Sequence, residues 1–177
     1  MHLVNDDGRV MDAEYLVEPD GSHLALSMES RSGMSGRRAP RNPDYKDQEA
    51  KVAVEALAMN VATEFYSKDW DVEDVHGTES YDLICRRGDE VKHVEVKGTT
   101  TDGGEVILTP NEVRHAQENP CTALFVVSNI TVERAEDGTV TAYRGKYHCY
   151  DPWRLDDGTL TPLGFRYQVL AIGDPVS

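Results

Sequence analysis

The sequence has few cysteines and no long apolar run, and both absences narrow the class of protein. Its 177 residues include three cysteines, Cys85, Cys121 and Cys149, whose spacing excludes a C-x-x-C metal or redox motif. The odd number of cysteines and an N-terminus without a signal-peptide pattern predict a reduced, cytoplasmic protein. Cys85 and Cys121 fall in apolar patterns, so we expect both to be small core residues. No apolar stretch approaches the roughly 18 residues that a membrane span requires, so none is expected.

Basic residues are also scarce relative to acidic ones. The chain contains 18 Lys and Arg against 32 Asp and Glu, which gives a net charge of −14. Because Lys and Arg supply most of the affinity for phosphates, this balance disfavours a simple nucleic-acid-binding surface. A local basic patch, such as Arg37, Arg38 and Arg41, would overcome it. A protein partner that holds the nucleic acid would do so as well.

Residues 81–98 predict two short strands joined by a tight turn. Apolar and polar residues alternate on both sides of Gly88-Asp89, a pair that suits a two-residue hairpin turn. One face of the two strands is formed by Leu83, Cys85, Val94 and Val96. The residues between them in the sequence, which point to the other face, are Asp82, Ile84, Glu95 and Lys97. A symmetric turn places Asp82 opposite Glu95, and Lys97 on the same face as Glu95.

Two directly opposed carboxylates destabilise a sheet unless positive charge lies between them. A divalent hard cation with oxygen ligands, Mg²⁺ or Mn²⁺, is the simplest candidate for Asp82 and Glu95. No cysteine or second histidine has the sequence spacing of a zinc site with His93. The alternative is an ion pair between Glu95 and Lys97 on a solvated sheet face.

An Asp followed by Glu-x-Lys on the next strand resembles the active-site pattern of the PD-(D/E)XK nuclease superfamily. An ordered series of short segments, over roughly residues 50–172, further resembles the bacterial relatives of the NO VEIN C-terminal domain. The segments are 54–59, 70–75, 81–82, 94–99 and 108–112. Ser80 stands where that family usually has Gly before its Tyr-Asp pair, and the superfamily's Pro before the first Asp is missing.

The resemblance implies a restriction-endonuclease-like α/β fold, with a mixed central sheet flanked by helices. It implies that Asp82, Glu95 and the main-chain carbonyl of Val96 bind Mg²⁺ or Mn²⁺. Lys97 would orient the attacking water or stabilise developing charge, and Glu55 on the first helix would bind the metal through water. The implied function is a Mg²⁺-dependent endonuclease that hydrolyses DNA phosphodiester bonds in restriction or defence.

Two alternatives remain open from the sequence. One is a catalytically inactive module of the same fold that binds nucleic acid or protein. The other is a nuclease that acts only with a protein partner or as a homodimer. The complete set of Glu55, Asp82, Glu95 and Lys97 favours activity, and the net charge of −14 favours the alternatives.

The sequence predicts an N-terminal β hairpin and Gly/Ser/Arg linker over residues 1–43, and a nuclease-like domain over 44–177. Strands over 13–17 and 23–29 flank a Pro-Asp-Gly turn, and we expect residues 30–43 to be poorly ordered. Two short segments, 29–33 and 41–45, resemble an N-terminal motif of bacterial restriction-type proteins.

The rest of the chain predicts alternating helices and strands. A helix is expected over about 44–67, and a second helix begins at Thr109, with Glu112 completing a capping box. Further strands are expected at 70–75, 105–108, 123–130, around 136–139, and 165–172. Tyr81 is expected in the core, on the face opposite Asp82, whereas His93 should share the face of Asp82 and Glu95.

Overall fold

The computed structural model describes residues 11–17, 23–27 and 48–163. Within them lie two helices, α1 (Gln48–Tyr66) and α2 (Pro110–Glu118), and a short 3-10 turn at Leu155–Asp157. The strands are β1 (Met11–Val17), β2 (His23–Ser27), β3 (Asp71–Asp74), β4 (Leu83–Arg87), β5 (Glu90–Gly98), β6 (Thr122–Ser128), β7 (Thr131–Arg134), β8 (Val140–Tyr143) and β9 (Gly145–Tyr150). None of the helices in these ranges combines the length and apolar character that crossing a bilayer requires.

The strands form a mixed sheet with the order β2-β1-β9-β6-β5-β4-β3, and β7 and β8 form a separate two-stranded sheet. Strand β5 pairs antiparallel with β4 and parallel with β6, and α2 lies in the connection between the two parallel strands. The fold is therefore mixed α/β, as predicted, and it is compatible with a restriction-endonuclease-like arrangement.

The β4–β5 hairpin has the predicted register. Arg87 pairs with Glu90 across the turn, and Leu83 pairs with Val94 at the far end. Gly88 has a φ of 59°, a backbone conformation that glycine adopts without steric cost. Because the turn adds no residue to either strand, the alternation of side chains is preserved and Glu95 and Lys97 share one face.

Helix α1 covers the other face of the hairpin. Its apolar stripe includes Val54, Ala58 and Val61, which pack with the fully buried Leu83 and Val94. The remaining members of this core are Leu57, Ala62, Tyr66, Cys85, Val96, Ala123, Phe125, Val127, Ile130 and Tyr147.

Gly98 lets α1 approach the end of β5 closely. A Cβ atom at Gly98 would lie 2.8 Å from the Val54 carbonyl oxygen and 3.0 Å from the Ala58 Cβ. The helix therefore rests on the strand immediately after Lys97, and this contact fixes the backbone next to the candidate site.

The predicted N-terminal hairpin is present as β1 and β2, which pair antiparallel. Strand β1 also pairs with β9, so the hairpin extends the central sheet. The predicted hairpin around residues 136–139 is formed by β7 and β8. The basic segment at 30–43, the start of the first predicted helix and the strand expected at 165–172 lie outside the described residues.

Three sequence-based expectations are wrong, one of them only in part. Residues 105–108 form no strand, because both edges of β5 are already occupied by β4 and β6 and the segment has to cross towards α2. Cys121 is exposed rather than in the core, since it lies immediately before β6. Tyr81 is buried, as expected, but on the wrong face: it stacks on His93, because the chain bends at residues 81–82 before β4 begins.

Candidate active site

Asp82 lies at the point where β4 and β5 stop pairing. Its amide donates to the carbonyl oxygen of Val94, 2.9 Å away, which is one residue out of the register of the ladder. Its side chain then takes the place of a strand partner, since Oδ2 accepts from the Val96 amide at 2.7 Å. The carboxylate is thereby fixed beside the central part of β5.

Glu95 is a buried carboxylate on the face of β5 that points away from α1. The residue is 3% exposed, and its Oε1 lies 2.7 Å from the Lys97 Nζ. Burial raises the pKa of Glu95 to about 8, against the lowering effect of the Lys97 ammonium, and the charge of Asp82 raises it further. A carboxylate in this situation is stabilised by additional positive charge.

Lys97 contacts a second carboxylate as well. Its Nζ lies 2.9 Å from Oε2 of Glu112, on the first turn of α2. Burial alone would lower the pKa of Lys97, but Glu95 and Glu112 outweigh it, so the net shift is upward. The pKa of Asp82 is raised by burial, although the Val96 amide and the Lys97 ammonium oppose the shift.

The oxygen atoms at this position are of the kind that hard divalent cations bind. In an extended strand the N–H and C=O of one residue point to the same side, so the Val96 carbonyl is expected on the same edge of β5 as the amide that donates to Asp82. Asp82, Glu95 and this carbonyl provide oxygen donors of the kind that Mg²⁺ prefers, with water completing its coordination. In the ranges that the structure describes, no group of three or more His, Cys, Asp or Glu side chains is arranged to hold a metal ion. A cation here would rest on two carboxylates and one carbonyl.

Glu55 is not in contact with these groups. Its side chain is 56% exposed, and its Oε1 lies 3.6 Å from the Lys51 Nζ, one turn earlier on α1. It is nevertheless close enough to His76 to raise the pKa of that imidazole, as Asp82 also does. The water-mediated role of Glu55 therefore stays a prediction.

Two segments of the chain match known protein families. Residues 54–141 match the family described as "Protein NO VEIN, C-terminal". This segment belongs to the NO VEIN C-terminal family. Residues 1–48 match "Type IV restriction enzyme McrA, N-terminal domain". Comparison with curated proteins and with solved structures returned no match.

The NO VEIN C-terminal segment contains every side chain proposed for the site. Glu55, Asp82, Glu95 and Lys97 all fall within residues 54–141, as does Glu112. The match to residues 1–48 agrees with the restriction-type N-terminal motif that the sequence suggested. The chain therefore resembles a restriction enzyme's N-terminal domain over its first 48 residues and a NO VEIN C-terminal domain over residues 54–141.

His76 is a neighbour of the site that sequence reasoning missed. Its Nδ1 lies 2.5 Å from Oδ1 of Asp74, and its amide donates to the same oxygen at 3.1 Å. The contact with Asp74 raises the pKa of His76, and both Asp82 and Glu55 add to the shift. The Asp-x-His spacing after a strand was the available signal, since an Asp side chain commonly accepts from the amide two residues on.

A histidine pair lies next to the site in the NO VEIN segment. His93 Nδ1 is 3.0 Å from His115 Nε2, and the ring of Tyr81 stacks on His93 with centroids 4.1 Å apart. Burial lowers the pKa of both histidines. Helix α2 places His115, a residue 22 positions later in the chain, against His93, a contact that the sequence did not indicate.

Proposed function

We propose that the chain is a cytoplasmic, Mg²⁺- or Mn²⁺-dependent endonuclease that hydrolyses DNA phosphodiester bonds in restriction or defence. The observation that carries the proposal is the convergence of Asp82, the buried Glu95 and Lys97 at the end of the β4–β5 pairing. The matches to a NO VEIN C-terminal domain and to a type IV restriction enzyme's N-terminal domain support the restriction context and DNA as the substrate.

The metal would be held by Asp82, Glu95 and the carbonyl of Val96, with Glu55 contacting it through water. When bound, it would polarise a phosphoryl oxygen and lower the pKa of a coordinated water. Burial of Glu95 favours this arrangement, because a cation offsets the cost of keeping that carboxylate ionised.

Lys97 would supply positive charge where negative charge develops on the phosphoryl group. Its ammonium lies 2.7 Å from Glu95 Oε1, and the two carboxylates around it keep it protonated. A preorganised donor in a partly buried position stabilises developing charge more than an exposed lysine does. Lys97 would also orient the attacking water.

A second candidate is a binding module for nucleic acid or protein that has no activity. The net charge of −14 favours it, since an acidic surface repels DNA at long range. The same charge is compatible with an active enzyme that works with a protein partner or as a homodimer.

Cleavage assays separate the two candidates. Single- and double-stranded DNA and RNA would be incubated with the full chain in Mg²⁺, in Mn²⁺ and in a chelator. We expect metal-dependent cleavage of DNA that is lost in Asp82→Asn and kept in Glu90→Gln, a carboxylate at the other end of the same hairpin. Equal cleavage by Asp82→Asn and the wild type would refute the proposed site, and the absence of cleavage in every condition would favour the binding module.

A further inference from the structure

Glu112 connects the cap of α2 to the lysine of the candidate site. Its Oε2 accepts from the Thr109 amide at 2.9 Å and from the Lys97 Nζ at 2.9 Å. The return bond of the capping box, from the Glu112 amide to Thr109 Oγ1, measures 3.3 Å. From the sequence, capping was the preferred explanation of this residue, with nearness to the site as the alternative. The contact with Lys97 is an additional one.

We infer that Glu112 is a positioning residue that keeps the Lys97 ammonium in the site when a cation occupies Glu95. The inference rests on the proposed metal-dependent function and deepens it. It assigns Glu112 an effect on catalysis through Lys97, without contact between Glu112 and the substrate.

Lys97 and a bound cation would both contact Glu95. Lys97 lies between two carboxylates, with 2.7 Å to Glu95 Oε1 and 2.9 Å to Glu112 Oε2. A cation on Glu95 would compete with Lys97 for the same oxygens and repel its ammonium. Glu112 is then the carboxylate that still holds Lys97. Without it, a flexible four-carbon side chain would lose its fixed geometry.

Glu112 is suited to this task because its own position does not depend on the metal. It is the third residue of α2, where the capping box fixes its side chain and the helix N-terminus favours negative charge. Its side chain is 16% exposed and that of Lys97 is 20% exposed, so solvent screens the pair only partly. The helix therefore presents a fixed anion to the lysine.

The competing explanation is that Glu112 only caps α2. Two substitutions separate the roles. Glu112→Gln keeps an acceptor for the Thr109 amide, since Gln also serves in capping boxes, but it removes the charge that faces Lys97. Thr109→Ala removes the cap hydroxyl and leaves the Glu112 carboxylate in place. The first variant tests positioning and the second is the matched control for capping.

Both variants would be prepared in the full chain and compared with the wild type by three measurements. Thermal melts report the cap, steady-state cleavage in Mg²⁺ reports kcat and KM, and nitrogen-15 NMR of the lysine ammonium groups reports Lys97. The Lys97 signal would be assigned from its loss in Lys97→Arg.

For Glu112→Gln we expect a shifted, faster-exchanging Lys97 signal in Mg²⁺ and a kcat lower by about tenfold or more, with KM changed less than about twofold. For Thr109→Ala we expect a Tm lower by about 2–4 °C, with kcat and the Lys97 signal unchanged. An unchanged Lys97 signal, or an unchanged kcat, in Glu112→Gln would overturn the inference. If the wild type cleaves nothing, the proposed function fails separately, and the Lys97 signal in Mg²⁺ alone decides whether Glu112 holds the lysine.

Discussion

The two faces of β5 are built from opposite chemistry, although their residues alternate along one strand. On the α1 face, defined by Val94, Val96 and Gly98, contacts are apolar and close. On the α2 face, defined by His93, Glu95 and Lys97, contacts are ion pairs and a histidine pair. Helix α1 buries six residues against the sheet, whereas α2 buries none of its own.

This difference shows how one strand supports stability and chemistry at the same time. The apolar contacts of the α1 face fix the backbone of β5, so the side chains of the α2 face do not have to provide the packing energy. Burying the Glu95 carboxylate is unfavourable, and the packing energy of the α1 face offsets this cost. Substitutions on the two faces should therefore have separable effects.

Leu83→Ala should produce the largest loss of stability. Leu83 is fully buried on the α1 face, and truncation of such a side chain typically costs about 2–5 kcal/mol. Urea denaturation of the wild type and the variant measures the change in the free energy of unfolding. A loss under about 1 kcal/mol would show that the α1 face is not the main source of stability.

Lys97→Ala should abolish cleavage and leave folding nearly intact. The side chain provides little packing, whereas loss of a transition-state contact typically costs about 3–4 kcal/mol in barrier, or about 10²–10³ in rate. Thermal melts and cleavage assays in Mn²⁺ test both parts. Equal cleavage by the wild type and Lys97→Ala would show that Lys97 has no catalytic role. A large fall in the Tm of Lys97→Ala would show that the α2 face contributes to stability.

Glu55→Gln should have an intermediate effect on activity. Removal of a group that contacts a metal only indirectly typically lowers metal affinity or activity by about 10–100-fold. Because Glu55 is exposed, we expect a loss of activity at the lower end, about tenfold. Its exposed pair with Lys51 contributes about 0.3–0.5 kcal/mol to stability. Cleavage rates and thermal melts of Glu55→Gln and the wild type would be measured in parallel. An unchanged cleavage rate would show that Glu55 is not part of the site.

Glu95→Gln should remove a pH dependence of stability. The folded-state pKa of Glu95, about 8, lies above its ordinary value, so the folded state binds the proton more tightly. This contribution is complete at low pH and is lost as the pH rises towards 8. In a chelator, the Tm of the wild type should fall relative to that of Glu95→Gln as the pH rises from 5 to 8.5. If the Tm values of the wild type and Glu95→Gln change equally with pH across that range, Glu95 is not a buried group with a raised pKa.

The hairpin that carries the site was predictable because its determinants are local. Gly88-Asp89 sets the turn, and the turn sets the register that brings Glu95 and Lys97 to one face. The same symmetry predicted Asp82 directly opposite Glu95, whereas the ladder ends at the pair Leu83–Val94 and the Asp82 side chain accepts from the Val96 amide.

The contacts made by α2 were not predictable, because they depend on how the helix lies over β5. His115 meets His93 and Glu112 meets Lys97 across separations of 22 and 15 residues. No local pattern specifies such contacts, and the capping box already explained Glu112 completely. The bend at residues 81–82, which moves Tyr81 to His93, likewise depends on tertiary contacts.

Binding of Mn²⁺ tests the central assignment most directly, since it requires no knowledge of the substrate. Isothermal titration of the full chain, with electron paramagnetic resonance to count free Mn²⁺, would compare the wild type with Asp82→Asn, Glu95→Gln and the control Glu90→Gln. We predict one Mn²⁺ per chain in the wild type and in Glu90→Gln, and loss of that binding in the other two variants. Equal binding by all four proteins would contradict a metal site at Asp82 and Glu95.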